Sequence, residues 1–108
     1  KSFIPQAPAF HAPLANVHPD NHQVCWGDIT PPEATATTID VAWCKFITSQ
    51  FNQDWSSGKS IRHPQNINDQ LRSLRSHRYP LKDLVPIREG LYTHTSPKSV
   101  EAVIHTLL

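Results

Sequence analysis

The stretch PLANVHPDNHQVCWGDITPP, residues 13–32, sets a cysteine between Val24 and Trp26, just behind a polar turn and beside a segment carrying Asn16. Two short apolar runs, 14–17 and 22–26, flank HPDN. Pro presets φ for a turn, and the side chains of Asp and Asn bond to nearby backbone in turns. The pattern predicts a hairpin, or a strand pair bounded by loops. Pro31 and Pro32 end the extended path because proline donates nothing to a ladder, and PPEATATT reads as a connecting loop. Cys25 therefore falls where backbone leaves a sheet, a rigid place from which to present a nucleophile.

Upstream, residues 1–12 (KSFIPQAPAFHA) hold two prolines with apolar residues between them, which favours an extended lead-in arm or edge strand over helix. Downstream, TTIDVAWCKFITSQFNQDW (37–55) is the strongest helical pattern. Ile39, Ala42, Trp43, Phe46, Ile47 and Phe51 repeat at helical spacing, and Thr37 or Thr38 can cap the start. This helix is expected to cover the sheet, with Cys44 as a small, buried or half-buried side chain beside its apolar stripe. A second helix is expected through NINDQLRSLRSH (66–77), with Asn66 as cap, Asp69 in the first turn and Ile67, Leu71 and Leu74 on one face. YPLKDLVPI (79–87) is apolar but broken by Pro80 and Pro86, so it is expected to pack as an irregular segment. A third helix is expected from Ser96 as cap and Pro97 as first helical residue, with Val100, Val103, Ile104 and Leu107 inward.

The 108 residues suit one domain with a small core, and 38% hydrophobic residues with three Trp, four Phe and two Tyr are enough to fold around. Ten Lys and Arg against nine Asp and Glu leave a net charge of +1, so no global field draws nucleic acid or an anionic membrane. The basic run RSLRSHRYPLK (72–82) reads as a solvated face, without a nucleic-acid-binding motif around it. No apolar run approaches the roughly 18 residues of a membrane span. Cys25 and Cys44 read as free thiols of a reducing, cytoplasmic compartment rather than a disulfide scaffold. SSGKS (56–60) lacks the first glycine of a phosphate loop. The chain opens at Lys1 without any Met and ends within a helical pattern, which reads as a fragment, a processed product or the ordered part of something longer.

The order of parts resembles ubiquitin-conjugating enzymes: Asn16, a turn, Cys25 between apolar neighbours, a proline-bearing loop and a Trp-containing helix. More closely, LANVHPDNHQVCWGDITPP with FITSQFNQDWSSGKS and YPLKDLVPI is similar to the bacterial PRTRC system protein B family, over residues 13–87. Two departures stand out. Leu14 and Ala15 occupy the places of the family's His-Pro before the Asn, His18-Pro19 falling inside the turn instead; and Asn16 lies nine residues before Cys25, one more than in the usual pattern.

The resemblance implies an α+β fold, a small antiparallel sheet or hairpin packed against three helices, as in the C-terminal part of the ubiquitin-conjugating fold. It implies one domain or domain fragment over 1–108: an arm (1–12), a core (13–87) and a C-terminal helix region (88–108). It implies Cys25 as the thiol that accepts a ubiquitin-like modifier and Asn16 as the amide that stabilises the oxyanion. Trp26 and Gly27 take shaping roles as an apolar wall and a backbone turn, while Asp28 and His22 are placed to tune the thiol or an incoming amine. No cofactor is implied; the partners are the modifier, its ATP-using activating enzyme and, since only twelve residues precede the hairpin, a partner completing the N-terminal half.

Three other readings compete. The first is a non-catalytic binding scaffold of the same fold in a plasmid, phage or defence assembly. The second is a zinc site, because His18, His22 and Cys25 form H-x3-H-x2-C with Cys44 or His11 available as a fourth ligand. The third, a Cys-His hydrolase, has no sequence signature fixing the partner of Cys25.

Overall fold

In a computed structural model, which describes residues 2–88 and 95–107, the elements run α1 (Ile39–Thr48), α2 (Ile67–Leu74), a 3-10 turn (Leu81–Asp83) and α3 (Val100–Leu107). Lys1, residues 89–94 and Leu108, which belong to the expected arm and C-terminal region, lie outside the described residues. Among the described residues no strand or sheet forms. Pairing is confined to four isolated antiparallel bridges: Pro8 with Ser99, Phe10 with Pro86, Val17 with Val24 and Arg88 with Pro97. The expected α+β architecture is thus corrected, among the described residues, to three short helices tied together by irregular segments.

The reason is local. His18 N–H donates to Gln23 O at 2.8 Å and Cys25 N–H to Asn16 O at 2.7 Å, bracketing the Val17–Val24 pair. Beyond that pair Asn16 and His22 turn left-handed, with φ of 61° and 59°, a conformation that no strand continues. Asn16 also sends its own N–H outward to Asp54 O at 2.9 Å. The expected hairpin therefore survives as a single bridge around the turn.

Helix α1 starts at Ile39, but Thr38 caps nothing with its side chain. Its hydroxyl points backward instead, accepting from Thr35 N–H at 3.0 Å and donating to Glu33 O. The helix stops short of Phe51 because Thr48 Oγ1 bonds Cys44 O at 2.7 Å and Ser49 Oγ bonds Phe46 O at 2.6 Å, side-chain bonds that compete with helix continuation. Only Phe46 of the expected stripe is buried; Ile39, Trp43, Ile47 and Cys44 are exposed, so α1 covers no sheet and Cys44 is no core residue.

Helix α2 forms as its sequence predicts. Asn66 Oδ1 caps it by accepting from Asn68 N–H at 3.0 Å, although the chain leaves through left-handed Arg75 and Ser76 before the expected end. Its buried residues are Ile67, Asn68 and Gln70, two of them polar. Helix α3 begins three residues later than expected: Ser99 Oγ, not Ser96, caps it by accepting from Ala102 N–H at 3.1 Å. Pro97 pairs with Arg88 instead of opening the helix, and none of the α3 side chains is fully buried.

Three distant segments meet at one point. Ala9 N–H donates to Lys98 O, Ile87 N–H to Ala9 O and Lys98 N–H to Ile87 O, at 2.9, 2.9 and 2.8 Å. The arm thereby lies between the 85–88 segment and the start of α3, with His11 N–H on Val85 O at 2.9 Å and Val100 N–H on Ala7 O at 2.9 Å.

The interior is small and largely polar. Ala9, Ala15, Val17, Phe46, Ile67 and Ile87 are its buried apolar side chains, alongside buried Asn16, Ser56, Lys59, Ser60, Asn68, Gln70 and Asp83. Burying polar groups is costly unless each finds a partner. Among the described residues every buried side-chain N or O atom has one. Asp83 shows how: its carboxylate accepts from Ser60 Oγ (2.7 Å), Arg62 N–H (2.7 Å) and Tyr79 OH (2.5 Å), clamping the 60–63 loop to the 3-10 turn. An apolar cleft of about 460 Å³ separates α1 from α3, with Trp43 and Phe46 on one wall and Val100, Val103, Ile104 and Leu107 on the other.

Candidate active site around Cys25

The backbones of Asn16 and Cys25 pair across the turn, joined by the 2.7 Å bond from Cys25 N–H to Asn16 O. Cys25 is partly exposed and unpaired, whereas Asn16 is 6% exposed. Val17 and Val24 line the apolar cleft, and neither Asn16 nor Cys25 does.

The Asn16 side chain is held at both ends by Asn52. Its Nδ2 donates to Asn52 Oδ1 at 2.8 Å, and its Oδ1 accepts from Asn52 N–H at 3.2 Å. Asn52 is fixed in turn: its Oδ1 accepts from Asp54 N–H, its Nδ2 donates to Asp54 Oδ2, both at 2.8 Å, and Asn68 Nδ2 of α2 donates to its carbonyl at 2.7 Å. A primary amide carries two N–H donors. Among the described residues Asn16 Nδ2 donates only to Asn52, which leaves one N–H for a further acceptor.

Lys59 braces the same turn from inside. It is 2% exposed, and its Nζ donates to Leu14 O at 2.7 Å and to Val17 O, the carbonyls on either side of Ala15 and Asn16. This explains a lysine in the core: the ammonium satisfies carbonyls that the left-handed turn at Asn16 withdraws from any ladder. Burial pushes its pKa down to about 8. The folded chain therefore releases this proton near pH 8, while the unfolded chain keeps it to near its ordinary value of 10.5. Between those values the unfolded state binds more protons, so this group makes stability rise with pH. Denaturation midpoints at pH 7.5 and 9.5 are expected to show that rise, and Lys59→Met to remove its Lys59 part; an equal slope in the variant would show that the ammonium is not desolvated.

The other expected site residues scatter. Trp26 packs edge-on against Phe46 with ring centroids 6.0 Å apart, and Phe46 also meets Trp43 (6.2 Å) and Phe51 (5.2 Å), so Trp26 joins the site to α1. Gly27 has φ 57° in open space and makes the turn that follows. Asp28 is exposed. His22 lies apart from Cys25 in lining terms: it borders both clefts, neither of which Cys25 touches, and its ring is 6.2 Å from that of His11. His18 Nδ1 accepts from Asp20 N–H at 3.1 Å and the ring rests edge-on against Trp55 at 4.8 Å, which makes it a turn residue. Among the described residues no three His, Cys, Asp or Glu side chains converge as a metal site, so the H-x3-H-x2-C spacing does not assemble.

Asn52, Asn68 and Lys59 are the site residues that sequence reasoning missed. The Asn-x-Asp spacing at 52–54 carries a turn signal, since Asp54 N–H bonds the Asn52 side chain. Nothing in a lysine within SSGKS signals burial.

This geometry belongs to a prokaryotic E2-like, that is ubiquitin-conjugating-like, chain. The chain is a member of prokaryotic E2 family D, whose family model matches residues 1–87. No curated protein and no solved structure matches it. Among the described residues no helix is long and apolar enough to cross a membrane.

Proposed function

We propose that Cys25 carries a ubiquitin-like modifier as a thioester and transfers it to an amine, with Asn16 as the oxyanion donor. The observation that carries this reading is the fixed pairing of Asn16 with Cys25 across the turn, in a chain of E2-like family. The Cys25 thiolate attacks the carbonyl carbon of the modifier's C-terminal thioester on an activating enzyme, whose own thiolate leaves. An acceptor amine then attacks the Cys25 thioester, gives up a proton to solvent and expels the Cys25 thiolate as the amide bond forms. The thioester carries the activation, so ATP is used only upstream and no cofactor is needed here. The free amide N–H of Asn16 serves the oxyanion of the second step.

Trp26 forms the apolar wall beside the thiol and Gly27 the turn after it, while exposed Asp28 meets the incoming acceptor. The reading takes residues 1–108 as one unit acting with a modifier and an activating enzyme. It sets the chain beside the PRTRC system protein B proteins that 13–87 resembles, in a reducing cytoplasmic compartment where Cys25 stays a thiol.

The test is incubation with the activating enzyme and ubiquitin-like protein encoded beside its gene, followed by intact mass. An adduct of one modifier, released by thiol reductant and absent in Cys25→Ala, is the expected result. A folded chain that acquires no adduct would overturn the proposal and leave the binding scaffold.

A further inference from the structure

A second cleft, of about 730 Å³, opens between the turn at 19–22, the 57–59 loop, the 85–88 segment and α3. Lys59, Arg88 and Lys98 line it together with His11 and His22, and among the described residues Asp20 is its one lining carboxylate. Among the described residues the one ion pair is Arg72 with Asp69, elsewhere on exposed α2, so none of the three cleft cations has a carboxylate partner. Arg88 commits one Nη1 donor to Thr95 O, and Lys59 is engaged with the Leu14 and Val17 carbonyls. Bridges hold the backbone beneath the two outer cations: Lys98 N–H on Ile87 O at 2.8 Å, and Arg88 opposite Pro97. The hydroxyl-bearing Ser57 and Thr106 complete the wall.

Like charges gathered on low-dielectric walls repel, and a site that sets three cations and two imidazoles against the single described carboxylate of Asp20 favours an anion. We propose that this cleft binds the phosphate group of a small molecule, with Lys98 and Arg88 as charged donors, His11 and His22 as imidazole donors, and Lys59 as a fixed positive charge behind them. Guanidinium and ammonium groups match phosphate oxygens, and the volume suits a small ligand. Free phosphate and the phosphate of a nucleotide offer the same chemistry.

The titration of the two histidines agrees with the geometry. Burial lowers the His11 pKa, repulsion from His22 and Lys59 lowers it further, and Asp20 opposes them. Burial likewise lowers His22; Asp20 raises it, and His18, Lys59 and Lys98 lower it. A dianion among these groups favours both imidazolium forms. Both pKa values rise on binding, and affinity strengthens as pH falls through the histidine range.

The site stands apart from the thioester reading, and its test needs no modifier. His11 and His22 ring resonances are followed by NMR across pH 5.5–8 while the full chain is titrated with inorganic phosphate, pyrophosphate or adenosine monophosphate, with sodium chloride at matched ionic strength as reference. Saturable binding that raises both histidine pKa values, and that weakens about tenfold or more in Lys98→Gln and in Lys98→Gln/Arg88→Gln, is expected. Tighter binding of the nucleotide than of phosphate identifies the nucleotide as source; equal binding identifies free phosphate. Shifts that merely follow ionic strength, or affinity unchanged in a folded Lys98→Gln chain, would overturn the proposal. The wild-type histidine readout decides even where the double variant fails to fold.

Discussion

Asn16→Asp is expected to slow discharge of a loaded modifier to lysine by about 10²–10³-fold, roughly 2.7–4 kcal/mol of transition-state stabilisation, the range for loss of one oxyanion donor. Aspartate has nearly the same shape and tolerates the left-handed backbone at φ 61°. Its carboxylate still accepts from Asn52 N–H, a 3.2 Å bond in the native chain, but has no N–H to offer an oxyanion. Loading of Cys25 is expected to persist, because it exchanges one thioester for another. The structural cost exceeds the lost bond to Asn52 Oδ1, because a buried carboxylate oxygen then faces another acceptor, and thermal unfolding measures it separately. Asn16→Gly is the companion variant: it suits the backbone and lacks the amide, so it should discharge slowly too. Discharge at the native rate in both would make Asn16 a turn residue and no more.

Asp83→Ala is expected to cost about 3–4 kcal/mol of stability, a large share of what a small domain has. The carboxylate is 5% exposed, and its removal strands Ser60 Oγ, Arg62 N–H and Tyr79 OH. Chemical denaturation at neutral pH reads the loss directly; a change under 1 kcal/mol would mean that water replaces the carboxylate. The pH dependence supplies a second signature. Burial alone would push the Asp83 carboxyl up, but bonds from Tyr79, Arg62 and Ser60 outweigh it and hold the pKa below its ordinary value. The folded chain thus stays ionised where the unfolded one takes up a proton. This stabilisation is complete above the ordinary carboxylate value of 3.8 and is lost as pH falls through the lower folded value. Asp83→Ala should flatten that acid limb. The same hydrogen bond raises the Tyr79 phenol, after burial as the larger cause.

What was legible in the sequence followed local rules. Asn66 announced α2 because an Asx cap works through its own neighbours, and HPDN announced a turn for the same reason. The Asn16 and Cys25 pairing was legible only through a resemblance. The sheet was misjudged because alternating apolar runs say nothing of Asn16 and His22 turning left-handed, which cuts the ladder to one bridge. Ser96-Pro97 had the chemistry of a helix start, yet pairing with Arg88 won and moved the cap to Ser99. Burial of Lys59 and Asp83 was hidden because each depends on carbonyls, hydroxyls and N–H groups far away in sequence.

The meeting of Ala9, Ile87 and Lys98 bears on the order in which the chain folds. Its bonds join residues near both ends of the chain, and the entropy of closing so long a loop must be met before any of them contributes. The cluster from Ser60 to Asp83 has shorter closures and should form ahead of it. The junction then closes late and reopens early, by local unfolding that leaves the rest folded. Arg88 and Lys98 are carried on its bridged segments, so the cationic cleft exists only when it is closed. Any anion bound there acts as a latch, slowing the release of the arm by mass action.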